Sequence, residues 1–159
     1  MEPRFNLLDS PTAAKISRRL ASVSQVLEES PLPKNLRELV QLRVSQINGC
    51  GFCVDAHAKD ADAAGETALR INLVAAWRHT TVFTEAERAA LALAEEGTRL
   101  GDQGVRDETW AAVRKHYDDD QIGTLVCLVS LINAGSRLNV ILHNPGGSYE
   151  PGMFARMAG

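Results

Sequence analysis

Residues 38–57 read ELVQLRVSQINGCGFCVDAH, and they place a carboxylate, two thiols and an imidazole close together in the chain. Asn48-Gly49 is a helix-stop signal, and a further helix is expected to start at about Gly51. Before this stop, apolar residues recur at the spacing of a helix, namely Leu36, Leu39, Val40, Val44 and Ile47. The stretch therefore predicts two helices joined by a tight turn, with Cys50 and Cys53 at the start of the second.

Helical periodicity and capping signals continue along the rest of the chain. They predict further helices at Pro11 to about Glu29, Thr67 to His79, Thr84 through EAERAALALAEEGTRL, 107–116 and about 119–142. The aromatic content of 5% is low, and nothing resembles a series of strands. We expect an all-α bundle of about six or seven helices, followed by an irregular tail over 144–159.

Composition limits the domain count and the range of partners. With 159 residues, of which 45% are hydrophobic, the chain is expected to form one domain over 1–159. Its net charge is −3 and its 17 basic residues are scattered, so nucleic acid is not an expected partner. The N-terminus has no apolar signal core, and the most apolar run, 122–142, is interrupted by Gly123, Ser130, Asn133 and Arg137. These features predict a soluble, cytoplasmic protein that does not use a membrane.

The cysteine pair is the most informative feature for chemistry. A thiol is reactive as its thiolate, which backbone amides at a helix N-terminus stabilise. A two-residue spacer within a helical turn lets Cys50 and Cys53 form a disulfide, so that one attacks and the other resolves. Because His57 follows Cys53 by one turn, its imidazole is the natural local base. Glu38 would orient the His57 ring or restore its protonation state if the turn brings the two helices together.

Other interpretations of the same residues remain open. A CxxC pair is often half of a zinc site, in which His57 would be the third ligand and Cys127 or Glu38 the fourth. Thiol exchange is favoured, because a second ligand pair is missing, and we expect neither metal nor cofactor. Cys127 lies in the apolar run LVCLVSLI and is expected to be a small core residue. Phe52, between the cysteines, is either a pocket wall or a packing residue.

The pattern Glu38, eleven residues, Cys50, two residues, Cys53, three residues, His57 resembles the core of the alkylhydroperoxidase AhpD family, within the carboxymuconolactone decarboxylase superfamily. The stretch WRHTTVFTEAERAALALAEEGTRL also resembles the family. So does the last helix with its polar residues Asn133, Arg137 and Asn139. The resemblance covers about residues 30–142.

The resemblance implies an all-helical, homo-oligomeric antioxidant enzyme, a trimer or hexamer, that reduces hydroperoxides. The same cysteine pair also fits a general reductase of protein or small-molecule disulfides. By position, Cys53 would be the peroxidatic thiol, Cys50 the resolving thiol, and Glu38 with His57 the proton relay. The partners would be a hydroperoxide substrate and an unknown thiol or protein reductant. The best-known members carry a histidine where this chain has Phe52.

The superfamily also includes lactone decarboxylases, which lack the cysteine pair. Because this chain has both cysteines, thiol redox chemistry is favoured over decarboxylation. A second hypothesis, from a different class, is a non-enzymatic redox sensor or assembly module that uses the same disulfide.

Overall fold

The computed structural model describes residues 2–154, and this part of the chain is helical with no strand. Its seven α-helices are α1 Pro11–Glu28, α2 Lys34–Ile47, α3 Gly51–Ala63, α4 Ala68–Leu73, α5 Glu85–Arg99, α6 Asp107–His116 and α7 Asp119–Leu142. Two short 3-10 helices cover Leu7–Asp9 and Val74–His79. The all-α prediction is confirmed. The irregular tail is expected over 144–159. Residues 144–152 have no regular secondary structure, and residues 155–159 lie outside the described residues.

Side-chain caps define where several of these helices begin. The hydroxyl of Ser10 accepts a hydrogen bond from the Ala13 amide at the start of α1. Reciprocal capping boxes open α5, through Thr84 and Glu87, and α7, through Asp118 and Gln121. Each cap satisfies amides that the first helical turn leaves unpaired.

Helix α2 is the centre of the packing, in contact with α3, α5 and α7. On one side, Val40 and Val44 are fully buried in a cluster with Leu125 of α7. On the other side, Leu39 and Leu42 are buried with Trp77 in a second cluster. Burial on both sides fixes the direction of α2 and therefore the place where the chain enters α3.

The helix expected over 67–79 is in fact two elements. α4 ends at Leu73, and the 3-10 helix that follows contains a kink at Ala76 (φ −115°, ψ 22°). The altered path buries Trp77, whose indole N–H donates to Glu95 at 3.1 Å. Tertiary packing here overrides a helical pattern that the local sequence satisfies.

The prediction that Cys127 is a core residue is wrong, because its side chain is exposed and unpaired. The buried face of α7 follows a helical stripe of Ile122, Leu125, Leu128, Val129, Ile132, Asn133 and Ser136. Position 127 lies off that stripe. An apolar run longer than one contact face cannot say which of its residues face inward.

α7 has the length and apolar composition of a membrane-crossing helix, and it is the one such helix in the described residues. It also packs against α2, α3 and α5, and it buries the polar side chains of Asn133 and Ser136. These features are typical of a helix that packs within a folded domain. Its outer side leaves Val126, Val140 and Ile141 exposed.

Candidate active site

The turn after α2 places the cysteine pair. Asn48 caps the end of α2, and Gly49 has φ 66°, a left-handed conformation that glycine adopts without strain. The chain then reverses, and Cys50 becomes the N-cap of α3. This is the helix–turn–helix arrangement that the sequence predicts.

Cys50 and Cys53 are joined by a disulfide, with their Cα atoms 5.3 Å apart. The Cys53 amide donates to the Cys50 sulfur at 3.2 Å, so a sulfur occupies the capping position at which a serine or aspartate oxygen often lies. Both side chains are buried, with exposed fractions of 1% and 3%. The pair is therefore an oxidised dithiol held at a helix N-terminus and shielded from solvent.

Glu38 and His57 are brought together by the packing of α2 on α3. Their carboxylate and ring are joined by a 2.8 Å contact between Oε2 and Nδ1, and both residues are buried. Because an ionised carboxylate can only accept, Nδ1 carries a proton in this contact, and in the neutral ring Nε2 then keeps a free lone pair. The expected orienting contact is present.

His57 and Cys53 lie one turn apart on α3, both on its buried side. Within residues 2–154, no direct hydrogen bond joins the His57 ring to either sulfur. The ring instead faces Phe154, with the two centroids 6.0 Å apart. A proton relay between thiol and imidazole would therefore need a water molecule or a small movement.

Two side chains of α7 contact the sulfur of Cys53 directly. The Ser136 hydroxyl lies 3.7 Å from Sγ and the Asn139 amide nitrogen 3.6 Å from it. Sequence reasoning did not assign either contact. The available signal was the spacing of Asn133, Ser136 and Asn139, which places a polar residue every three positions in the most apolar helix.

Asn133 of α7 links the turn before Cys50 to the core. Its Oδ1 accepts from Asn48 at 2.9 Å and from Arg137 at 2.8 Å. Its Nδ2 donates to the Thr98 hydroxyl at 3.0 Å. A buried amide with every group satisfied holds the turn in one orientation relative to α5 and α7.

Residues 145–154, called the tail from here on, pack across the start of α3. A Cβ built on Gly146 would lie 2.5 Å from the Gly51 carbonyl oxygen, so only glycine permits this close approach. The ring of Phe52 packs edge-on against Tyr149 and Phe154, with centroids 6.3 and 6.1 Å apart. Phe52 therefore packs the tail against α3.

Acidic residues of α3 hold the tail by its backbone. The carboxylate of Asp55 accepts the amides of Gly147 and Tyr149 at 2.7 and 3.1 Å. Its hydrogen bond with Lys59, reinforced by these two amides, outweighs desolvation and lowers the pKa of Asp55 below its ordinary value. The Tyr149 hydroxyl donates to Asp60 at 2.6 Å, and burial together with this acceptor raises the pKa of Tyr149, so the hydroxyl remains protonated.

Among residues 2–154, no three histidine, cysteine or acidic side chains are grouped so that they could hold a metal ion. An open groove does lie between α3, α4 and the tail, where Asp55, Lys59 and Pro151 are among its lining residues. None of Glu38, Cys50, Cys53 and His57 lines it.

The fold and the site together define an all-helical protein with a buried CxxC disulfide and a neighbouring carboxylate–imidazole pair. Residues 16–96 match the model of the carboxymuconolactone decarboxylase family. The uncharacterized protein YdfG of Bacillus subtilis is 36% identical over 139 residues, which cover 87% of this chain and 92% of YdfG. The chain therefore belongs to the carboxymuconolactone decarboxylase family, and its structural relatives place it among the AhpD-like members.

Solved structures agree with this placement. ATU0492 of Agrobacterium tumefaciens, a protein of unknown function provisionally named as the antioxidant defence protein AhpD, has a TM-score of 0.85 and 32% identity. The match covers 93% of this chain and all of that one. A peroxidase-related protein of Ralstonia eutropha JMP134 with an AhpD core has a TM-score of 0.66, covering 75% of this chain and 63% of that one. At 20% identity, this second likeness shows the fold alone.

Proposed function

We propose that the protein is a thiol-dependent oxidoreductase that reduces hydroperoxides through the Cys50–Cys53 pair. The observation that carries the proposal is the disulfide at the N-terminus of α3, one turn from an imidazole that is oriented by a carboxylate. The family and the likeness to ATU0492 support the same class of chemistry.

The reaction runs in three steps. The Cys53 thiolate attacks the O–O bond of a hydroperoxide, which gives a Cys53 sulfenic acid and, after one proton is taken up, an alcohol. The Cys50 thiol then condenses with the sulfenic acid, forming the disulfide and releasing water. An external dithiol reduces the disulfide and becomes a disulfide itself, which returns both cysteines to thiols.

Glu38 and His57 supply the proton transfers. With Nδ1 held by Glu38, the free Nε2 accepts the thiol proton and later delivers it to the departing alkoxide, directly after a small movement or through a water. Glu38 makes no contact with either sulfur and acts by fixing the tautomer and orientation of the ring.

Turnover with cumene hydroperoxide and dithiothreitol tests this proposal. Wild-type protein is expected to consume peroxide catalytically, and the Cys53→Ser variant is expected to lose this activity. Cys127→Ser is the matched control, because it removes an exposed thiol outside the pair. Turnover that persists in Cys53→Ser, or is absent in the reduced wild type, would rule the proposal out.

The second candidate function is a redox sensor. It is favoured by one observation, the tail that packs over the helix carrying the disulfide. A sensor would form the disulfide once without sustained turnover, and the tail would change its protection from proteolysis between the two redox states. The same assay distinguishes the two functions.

We also propose a cytoplasmic homo-oligomer supplied by a thiol or protein reductant. The apolar residues left exposed on α1 and α7, such as Val26 at 68% and Ile141 at 63%, support burial against a second copy. Size-exclusion chromatography with light scattering measures the mass, and a 17.3 kDa species would contradict the proposal.

A further inference from the structure

The two sulfurs of the pair have different hydrogen-bond donors. The Cys50 sulfur receives the Cys53 amide at the tip of α3. The Cys53 sulfur receives the hydroxyl of Ser136 and the amide of Asn139, which come from α7, more than eighty residues away in sequence. The environment of each sulfur is therefore set by a different helix.

The two α7 donors are built into the fold. Ser136 is fully buried, and its hydroxyl donates a hydrogen bond to the Cys53 sulfur. Asn139 is held on both sides of its amide, because Nδ2 also donates to the Gly135 carbonyl at 3.0 Å and Oδ1 accepts from Asn144 at 2.8 Å. These bonds point the N–H of Asn139 at the sulfur. The side chain is therefore already ordered before a thiolate forms.

A disulfide sulfur is a weak acceptor, whereas a thiolate is a strong one. Hydrogen bonds to an ionised partner are about twice as strong as neutral ones. The same two donors therefore favour the state in which the disulfide has opened and Cys53 carries the charge. In a buried site with little water, these two donors take the place of the water molecules that would otherwise solvate a thiolate.

We infer that Ser136 and Asn139 stabilise the Cys53 thiolate when the disulfide is open. The inference deepens the proposed function and rests on it only for the use of that thiolate. It adds α7 to a site otherwise made by α2 and α3.

The test uses a Cys50→Ser, Cys127→Ser background, in which Cys53 is the only remaining thiol of the three cysteines. Serine at position 50 keeps a side-chain oxygen for capping α3. The rate of iodoacetamide alkylation is measured against pH. The high-pH plateau reports access to the sulfur, and the midpoint reports thiolate stability.

Ser136→Ala and Asn139→Ala are each expected to move the midpoint to higher pH by about one unit, which slows alkylation roughly tenfold at pH values below it. Ser130→Ala is the control for the first variant, because this α7 hydroxyl bonds the Val126 carbonyl instead. Thr124→Ala is the control for the second, because this α7 side chain bonds the Asp120 carbonyl and takes no part in holding Asn139.

An unchanged midpoint in both variants would overturn the inference, as would equal shifts in the controls. A change in the plateau alone would also overturn it, because that indicates altered packing without an effect on charge. The outcome is separable from the proposed function. If the alkylation midpoints shift but the protein does not turn over peroxide, the proposed function alone is wrong. If the protein turns over peroxide but the midpoints do not shift, the inference alone is wrong.

Discussion

Replacing Glu38 with glutamine keeps the shape of the side chain and removes the charge that fixes the His57 ring. The 2.8 Å contact joins two buried groups, so solvent does little to compensate for the change. A hydrogen bond to a charged partner contributes about 1.5–3 kcal/mol and a neutral one about 0.5–1.5 kcal/mol, so Glu38→Gln is expected to cost about 1 kcal/mol of unfolding free energy.

The expected loss of activity is larger than the loss of stability. An amide can present either its oxygen or its nitrogen to Nδ1, so it no longer selects the tautomer with a free Nε2. Correctly placed general acid–base catalysis contributes about 10²–10⁴-fold, and we expect peroxide turnover to fall by about 10²-fold or more.

Urea unfolding and peroxide consumption measure the two effects on the same samples. Glu85→Gln is the matched control, because Glu85 pairs with Arg88 at 3.9 Å while its own side chain is 84% exposed. That variant is expected to change stability little and turnover not at all. Full turnover in Glu38→Gln would refute the assigned role of the Glu38–His57 pair.

Four further outcomes follow from the geometry. Asn133→Leu removes the bonds that anchor the turn before the pair and is expected to lower the free energy of unfolding by about 2–4 kcal/mol, measured in urea; an unchanged midpoint would contradict this. Gly146→Ala is expected to displace the tail and speed proteolysis within it, because a Cβ does not fit there. Asp55 has a folded-state pKa below its ordinary 3.8, so its stabilisation of the tail is complete above that pH and is lost as the pH falls through the lower value; the protection factors of the tail amides, which correct exchange for its intrinsic pH dependence, are expected to fall in that window, and Asp55→Asn to abolish the step. Cys127→Ser is expected to leave turnover unchanged, and a marked loss would require a role for that exposed thiol.

The local parts of this structure follow from the sequence. The turn at Asn48-Gly49, the capping position of Cys50 and most of the helix boundaries each depend on a few neighbouring residues with strong conformational preferences. A short turn also favours packing of the two adjacent helices, but it does not by itself specify the contact between Glu38 and His57, which depends on the rotation of each helix about its axis.

The long-range parts do not follow from any local pattern. Ser136 and Asn139 meet Cys53 only because α2 directs α3 toward α7, which depends on burial summed over the whole core. The exposure of Cys127 depends on which face of α7 packs inward, and an apolar helix does not specify that face. The tail is held largely through its own amides and carbonyls, which every residue type other than proline carries.

The stoichiometry of one turnover tests the central claim most directly. Fully reduced protein is mixed with an equal amount of cumene hydroperoxide without reductant, and the alcohol, the remaining thiols and the linked peptides are measured together. The account predicts one alcohol formed and two thiols lost per chain, with the peptide linkage between Cys50 and Cys53. Alcohol formed without that linkage, or linkage through Cys127, would contradict it.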